Sequence, residues 1–145
     1  MPDKPNILFI CTGNACRSQI AEAWANHLRQ NDLQAFSAGI RPIGVSPRAI
    51  ETMAEVGIDM SAYISKHIDE LQGIDFTYVV TLCDHAKGFC PAFPPPAKML
   101  HNPIRDPYGV SGSEDHVKAV FRAVRDEIRD FVRKMPENLS EGAIS

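Results

Sequence analysis

Ile7-Leu8-Phe9-Ile10-Cys11-Thr12-Gly13-Asn14-Ala15-Cys16-Arg17-Ser18 is the stretch on which the fold is read. Its apolar start predicts a buried strand. Residues 19–28 carry apolar positions at helical spacing, so Gly13 and Asn14 mark a strand-to-helix turn. Such a turn aims its backbone N–H groups at one spot, and the helix dipole favours negative charge there. Cys11 sits at the strand end, looking into that cradle, where the same field favours thiolate over thiol. Arg17 adds a planar fork suited to two oxygens of a tetrahedral oxyanion. The Ser18 hydroxyl is placed to donate to the sulfur. Cys11 is thus a candidate nucleophile, and Thr12, Gly13, Asn14, Ala15, Cys16, Arg17 and Ser18 are candidate oxyanion-binding residues. The nucleotide P-loop is excluded, because the lysine of its G-x-x-x-x-G-K-[ST] pattern is missing.

Outward from this stretch, further strands are predicted at residues 34–38, 78–82 and 98–101, the run at 78–82 being rich in β-branched residues. Helices are predicted at residues 18–30, 47–55, 65–71 and 114–134. Ser46 caps the second with Pro47 at its first position, and Gly57 closes it. The last is the longest, with Val117, Val120, Phe121, Val124, Ile128, Phe131 and Val132 on one face. Alternating strands and helices predict an α/β single-domain open sandwich, a four-stranded parallel sheet flanked by helices. Ligands in such sheets bind beyond the carboxyl ends of strands. Cys11 follows the first strand, Cys83 the third, and Asp106 lies in the loop after the fourth, so all three are expected at one edge.

The chain has 145 residues, 44% hydrophobic and 23% charged, which suits one soluble domain with its own core. Its net charge of −3 gives no electrostatic case for nucleic acid. No apolar run approaches the ~20 residues that span a bilayer. Met1-Pro2-Asp3-Lys4-Pro5 lacks the apolar core of a signal peptide, so a cytoplasmic location and no membrane partner are expected. Structural disulfides are rare there, which makes the four cysteines candidates for reactivity or metal binding.

C-x5-R-S at the end of the first strand resembles the phosphate-binding loop of low-molecular-weight protein tyrosine phosphatases. It equally resembles that of thioredoxin-coupled arsenate reductases, which share the fold. The second loop cysteine, Cys16, makes the wording closer to the reductases. The resemblance runs from Asn6 to about Arg133, and it frames residues 1–135 as the domain and 136–145 as a polar tail.

Leu82-Cys83-Asp84-His85-Ala86-Lys87-Gly88-Phe89-Cys90-Pro91 separates the two groups. A phosphatase of this class needs one cysteine. A reductase must deliver two electrons, and thiols deliver them in pairs by forming a disulfide. Cys83-x6-Cys90 resembles the reductases' resolving pair, in a polar segment expected to be mobile. A zinc reading of Cys83-x-His85-x4-Cys90 lacks an evident fourth ligand. His27, His67, His101 and His116 form no ligand spacing, so no metal is assigned. Asp106-Pro107 resembles the shared general-acid motif, Asp106 giving a proton to the leaving oxygen. The continuation Tyr108-Gly109 is more phosphatase-like, and residues 101–105 lack the reductases' usual tryptophan. Both departures bring weak aryl-phosphate hydrolysis into play.

The resemblance therefore implies arsenate reduction by a monomer without a cofactor. Cys11 attacks arsenic, Cys83 and Cys90 relay the disulfide, thioredoxin reduces it, and phosphate or sulfate competes. The alternatives are a tyrosine phosphatase using Cys11, Arg17 and Asp106, and an oxyanion-binding or redox-sensing module without turnover. Some of these reductases hold potassium behind the loop, through positions matching Asn14, Glu22, Ser37 and an acidic residue. The acidic position here is Lys66, whose ammonium would repel a cation and could pair with Glu22 instead.

Overall fold

The computed structural model describes residues 4–82, 97–107, 109–135 and 143–144. Strand β1 (Asn6–Cys11) is an interior strand of the sheet. It pairs in parallel with β2 (Gln34–Gly39) on one side and β3 (Tyr78–Thr81) on the other. Beyond β3 lies β4 (Lys98–His101), also parallel. The order is β2-β1-β3-β4, followed by a two-residue strand, β5 (Ala143–Ile144), antiparallel to β4. The four parallel strands are those expected. The added strand arises in the segment read as a polar tail, where Ala143 and Ile144 extend the sheet edge.

Both faces of β1 are buried, and its side chains alternate between two cores. Ile7 and Phe9 face α1 (Arg17–Leu28), α2 (Pro47–Ala54) and α3 (Glu114–Arg133). Leu8 and Ile10 face a smaller cluster containing Ile68, Phe76 and Val79. The α3 face read from spacing is buried at Val117, Val120, Phe121, Val124, Ile128 and Val132. Trp24 ties α1 to α3, its indole N–H donating to the Arg125 carbonyl at 3.0 Å. Ser46 and Ser113 cap α2 and α3 by accepting from the backbone N–H of Ala49 and His116. No described helix is long and apolar enough to cross a membrane.

The helix expected over residues 65–71 is only a 3-10 turn, Ile68–Leu71. The preceding residues are engaged elsewhere. The Lys66 carbonyl accepts from Gly39 N–H at 2.9 Å, and Lys66 N–H donates to the Asn14 side-chain oxygen at 2.9 Å. His67 bridges to Gly39 at the end of β2. Backbone spent on holding the neighbouring loop is not free to close helical turns.

Candidate active site

The turn after β1, read above as an anion cradle, closes because its neighbours leave it room. Gly39, at the end of β2, abuts it directly. A Cβ at Gly39 would lie 2.8 Å from both Asn14 N and Thr12 O, backbone atoms that cannot swing aside. Asn14 takes the left-handed conformation, φ 49°, which asparagine tolerates better than other non-glycine residues. Helix α1 has Cys16 at its N-cap, with no side-chain cap hydrogen bond, unlike α2 and α3, which are capped by serines, and it has no acid in its first turn. Gly39→Ala is expected to destabilise the fold by about 1–3 kcal/mol through overpacking, and to weaken phosphate binding by spreading the loop. A thermal melt with and without phosphate reads both effects.

The buried network behind the loop fixes the direction of its hydrogen bonds. The Asn14 amide donates to Ser18 Oγ at 2.8 Å and to Ser37 Oγ at 3.1 Å. Ser18 is thereby an acceptor from Asn14, and its own proton is free for Cys11 Sγ, 2.8 Å away. The Asn14 side-chain oxygen accepts from Gln19 Nε2 at 2.8 Å as well as from Lys66 N–H. Asn14 and Ser18 are fully buried, so they act on the cradle from behind.

Arg17 is held from the β3 and β4 side of β1. Its Nη1 donates to the Ile104 carbonyl at 3.1 Å and the Leu82 carbonyl at 3.4 Å, and its Nη2 lies 3.3 Å from Asp106 Oδ2. The segments after β3 and β4 thus converge on a guanidinium from α1, as the edge argument expected for Asp106. Cys11, Thr12, Gly13, Ala15, Cys16 and Arg17 line a cavity of about 240 Å³ with Asp106. Burial pushes the Cys16 thiol up to about 12, against an opposing hydrogen bond with Ser46, so Cys16 stays protonated. A protonated thiol is a poor attacker, which suits Cys16 to filling space beside the loop.

The same cavity is lined by Arg41 and Ile43, neither of which the sequence singles out. Their backbone N–H groups donate to Thr12 O at 2.9 Å and Gly13 O at 3.1 Å, so residues 41–43 ride on the cradle. The signal available in the sequence was position alone, since both follow the carboxyl end of β2. Cys83, Cys90 and Tyr108 lie outside the described residues.

The residues present do not fit a potassium ion. Lys66 Nζ stands 3.8 Å from Glu22 Oε1, and Ser37 Oγ donates to the same carboxylate oxygen at 2.7 Å. Burial pushes the Glu22 carboxyl above its ordinary value, while the Ser37 hydroxyl and the Lys66 ammonium oppose that shift. An ammonium occupies the place a cation would neutralise. Turnover is therefore expected to be the same in potassium as in sodium at fixed ionic strength, and Lys66→Asp to create a potassium requirement. Potassium stimulation of the unmodified protein would contradict this account.

The family model described as low molecular weight phosphotyrosine protein phosphatase matches residues 6–143. The chain is 43% identical over 137 residues to an arsenate reductase of Halalkalibacterium halodurans, covering 93% of this chain and 97% of that protein. It is 46% identical over 132 residues to arsenate reductase 1 of Staphylococcus saprophyticus, covering 91% and 96%. Among solved structures it resembles an arsenate reductase in the phosphate-binding state, with TM-score 0.73 and 30% identity, covering 95% of this chain and 98% of that one.

Proposed function

The chain belongs to the low molecular weight phosphotyrosine protein phosphatase family, and within it we propose that this protein reduces arsenate to arsenite through a cysteine relay. The supporting observation is one cavity lined by Cys11, Arg17 and Asp106, in a chain that follows arsenate reductases over more than nine-tenths of its length. The structural likeness to a phosphate-bound arsenate reductase supports a tetrahedral oxyanion as the ligand.

Arsenate enters with its oxygens on the loop amides and the Arg17 guanidinium. The Cys11 thiolate, oriented by the Ser18 hydroxyl, attacks arsenic. One oxygen departs as water, with Asp106 supplying a proton. Cys83 thiolate then attacks Cys11 Sγ. The sulfur–arsenic bond breaks with its electron pair going to arsenic, which leaves as arsenite, and a Cys11–Cys83 disulfide forms. Cys90 attacks Cys83 and frees Cys11. The resulting Cys83–Cys90 disulfide is reduced by a dithiol protein of the thioredoxin kind, which takes the oxidising equivalents away. Arsenate and two thiols thus become arsenite, water and one disulfide.

Phosphate shares arsenate's charge and geometry, so the cradle binds both. Selection comes after binding, because thiols do not reduce phosphorus(V). The cradle and Asp106 still permit slow hydrolysis of a small aryl phosphate, the family's other chemistry. We place the protein in the cytoplasm, acting as a monomer, where a reduced thioredoxin pool is at hand. The test is to supply arsenate with thioredoxin, its reductase and a nicotinamide reductant. One arsenite per nicotinamide oxidised is expected. Aryl-phosphate hydrolysis without any arsenite would replace this reading with the phosphatase one.

A further inference from the structure

We infer that Arg41 is a second oxyanion-binding residue, which gathers doubly charged tetrahedral anions at the cavity mouth and holds their outward oxygens. The inference deepens the proposed function by naming the charge class of its ligand, and it rests on that reading for the identity of the substrate. Three observations carry it.

The first is the charge balance of the lining. Arg17 is matched by Asp106 at 3.3 Å, and its Nη1 is further occupied by two backbone carbonyls. Cys11, as the attacking thiolate, adds a negative charge that a dianion must approach. Arg41 is the remaining cation among the described residues of the lining. Without it, the side chains lining the cavity sum to no net positive charge even with Asp106 protonated as the acid, in a protein of net charge −3.

The second is availability. Arg41 is exposed, and its side chain makes no ion pair or hydrogen bond among the described residues. Five N–H donors on a planar fork are thus unspent at the mouth of an oxyanion cavity.

The third is rigidity of placement. Ile40 and Arg41 N–H both donate to Thr12 O, at 3.0 and 2.9 Å, and Ile43 N–H donates to Gly13 O. Pro42, between them, fixes its own φ. The backbone carrying the Arg41 side chain is thereby registered to the cradle, so its guanidinium can reach an anion held there without a loop having to close.

The experiment needs no arsenate. Inorganic phosphate is titrated calorimetrically, and Cys11 alkylation by anionic iodoacetate and neutral iodoacetamide is compared by peptide mapping. Arg41→Ala is expected to weaken phosphate about tenfold, a charge-assisted bidentate contact being lost, and to flatten the salt dependence of binding. It should slow iodoacetate at Cys11 and leave iodoacetamide unchanged. Arg41→Glu should do more of both, and Arg41→Lys should restore most of the salt dependence but less of the affinity. Phosphate affinity within twofold of the unmodified protein in both Arg41→Ala and Arg41→Glu would overturn the inference. So would equal slowing of the two alkylating agents, which would mean a disturbed cradle rather than a lost charge. A protein that binds phosphate through Arg41 but forms no arsenite would instead refute the proposed reaction and leave this inference standing.

Discussion

Cys83→Ser is expected to form no arsenite while still hydrolysing a small aryl phosphate. The two activities part at one chemical step. Hydrolysis asks for the Cys11 nucleophile, the cradle, Arg17 and Asp106, after which water resolves the phospho-cysteine. Reduction asks for an electron pair at arsenic, which arrives only when a second thiolate takes the Cys11 sulfur. A serine oxygen at position 83 cannot form that disulfide. Cys16 is a poor substitute, since burial holds its thiol protonated with a pKa near 12. Hydrolysis that survives also shows that the variant is folded and its cradle intact. Arsenite at the unmodified rate from Cys83→Ser would show that another cysteine resolves the adduct.

Cys90→Ser is expected to form one arsenite per protein and then stop. The first two steps need only Cys11 and Cys83, so the chain should come to rest with those two sulfurs joined. No thiol then remains to pass the disulfide outward, and the nucleophile stays consumed. Peptide mapping after arsenate treatment should find the Cys11–Cys83 bridge, and thioredoxin should not restore turnover. Sustained turnover of this variant would mean that the reductant reaches the Cys11–Cys83 disulfide directly.

The strand, loop and helix around Cys11 were legible because three independent signals agree there: an apolar run, turn residues and helical spacing. The long amphipathic helix was legible for a similar reason, its buried positions recurring at helical spacing over twenty residues. Residues 65–71 misled because local pattern competes with distant demands. Lys66 gives its backbone N–H and carbonyl to Asn14 and Gly39, which no reading of neighbours alone would reveal. Arg41 and Ile43 stayed hidden because an exposed connection carries no periodicity, and its meaning lies in what it folds against. The strand at Ala143–Ile144 is two residues long, below what alternation can signal. The roles of Cys83 and Cys90 rest on the resemblance to the reductases' resolving pair and on the chemistry of thiols, as both lie outside the described residues.

A single-turnover thiol count tests the central claim most directly. The fully reduced protein is mixed with excess arsenate in the absence of any other thiol, quenched, and assayed for free cysteines and for arsenite. Loss of two thiols for each arsenite formed is the predicted result, with the new disulfide mapping to Cys83–Cys90. Arsenate bound or turned over with all four thiols intact, and no arsenite released, would contradict it.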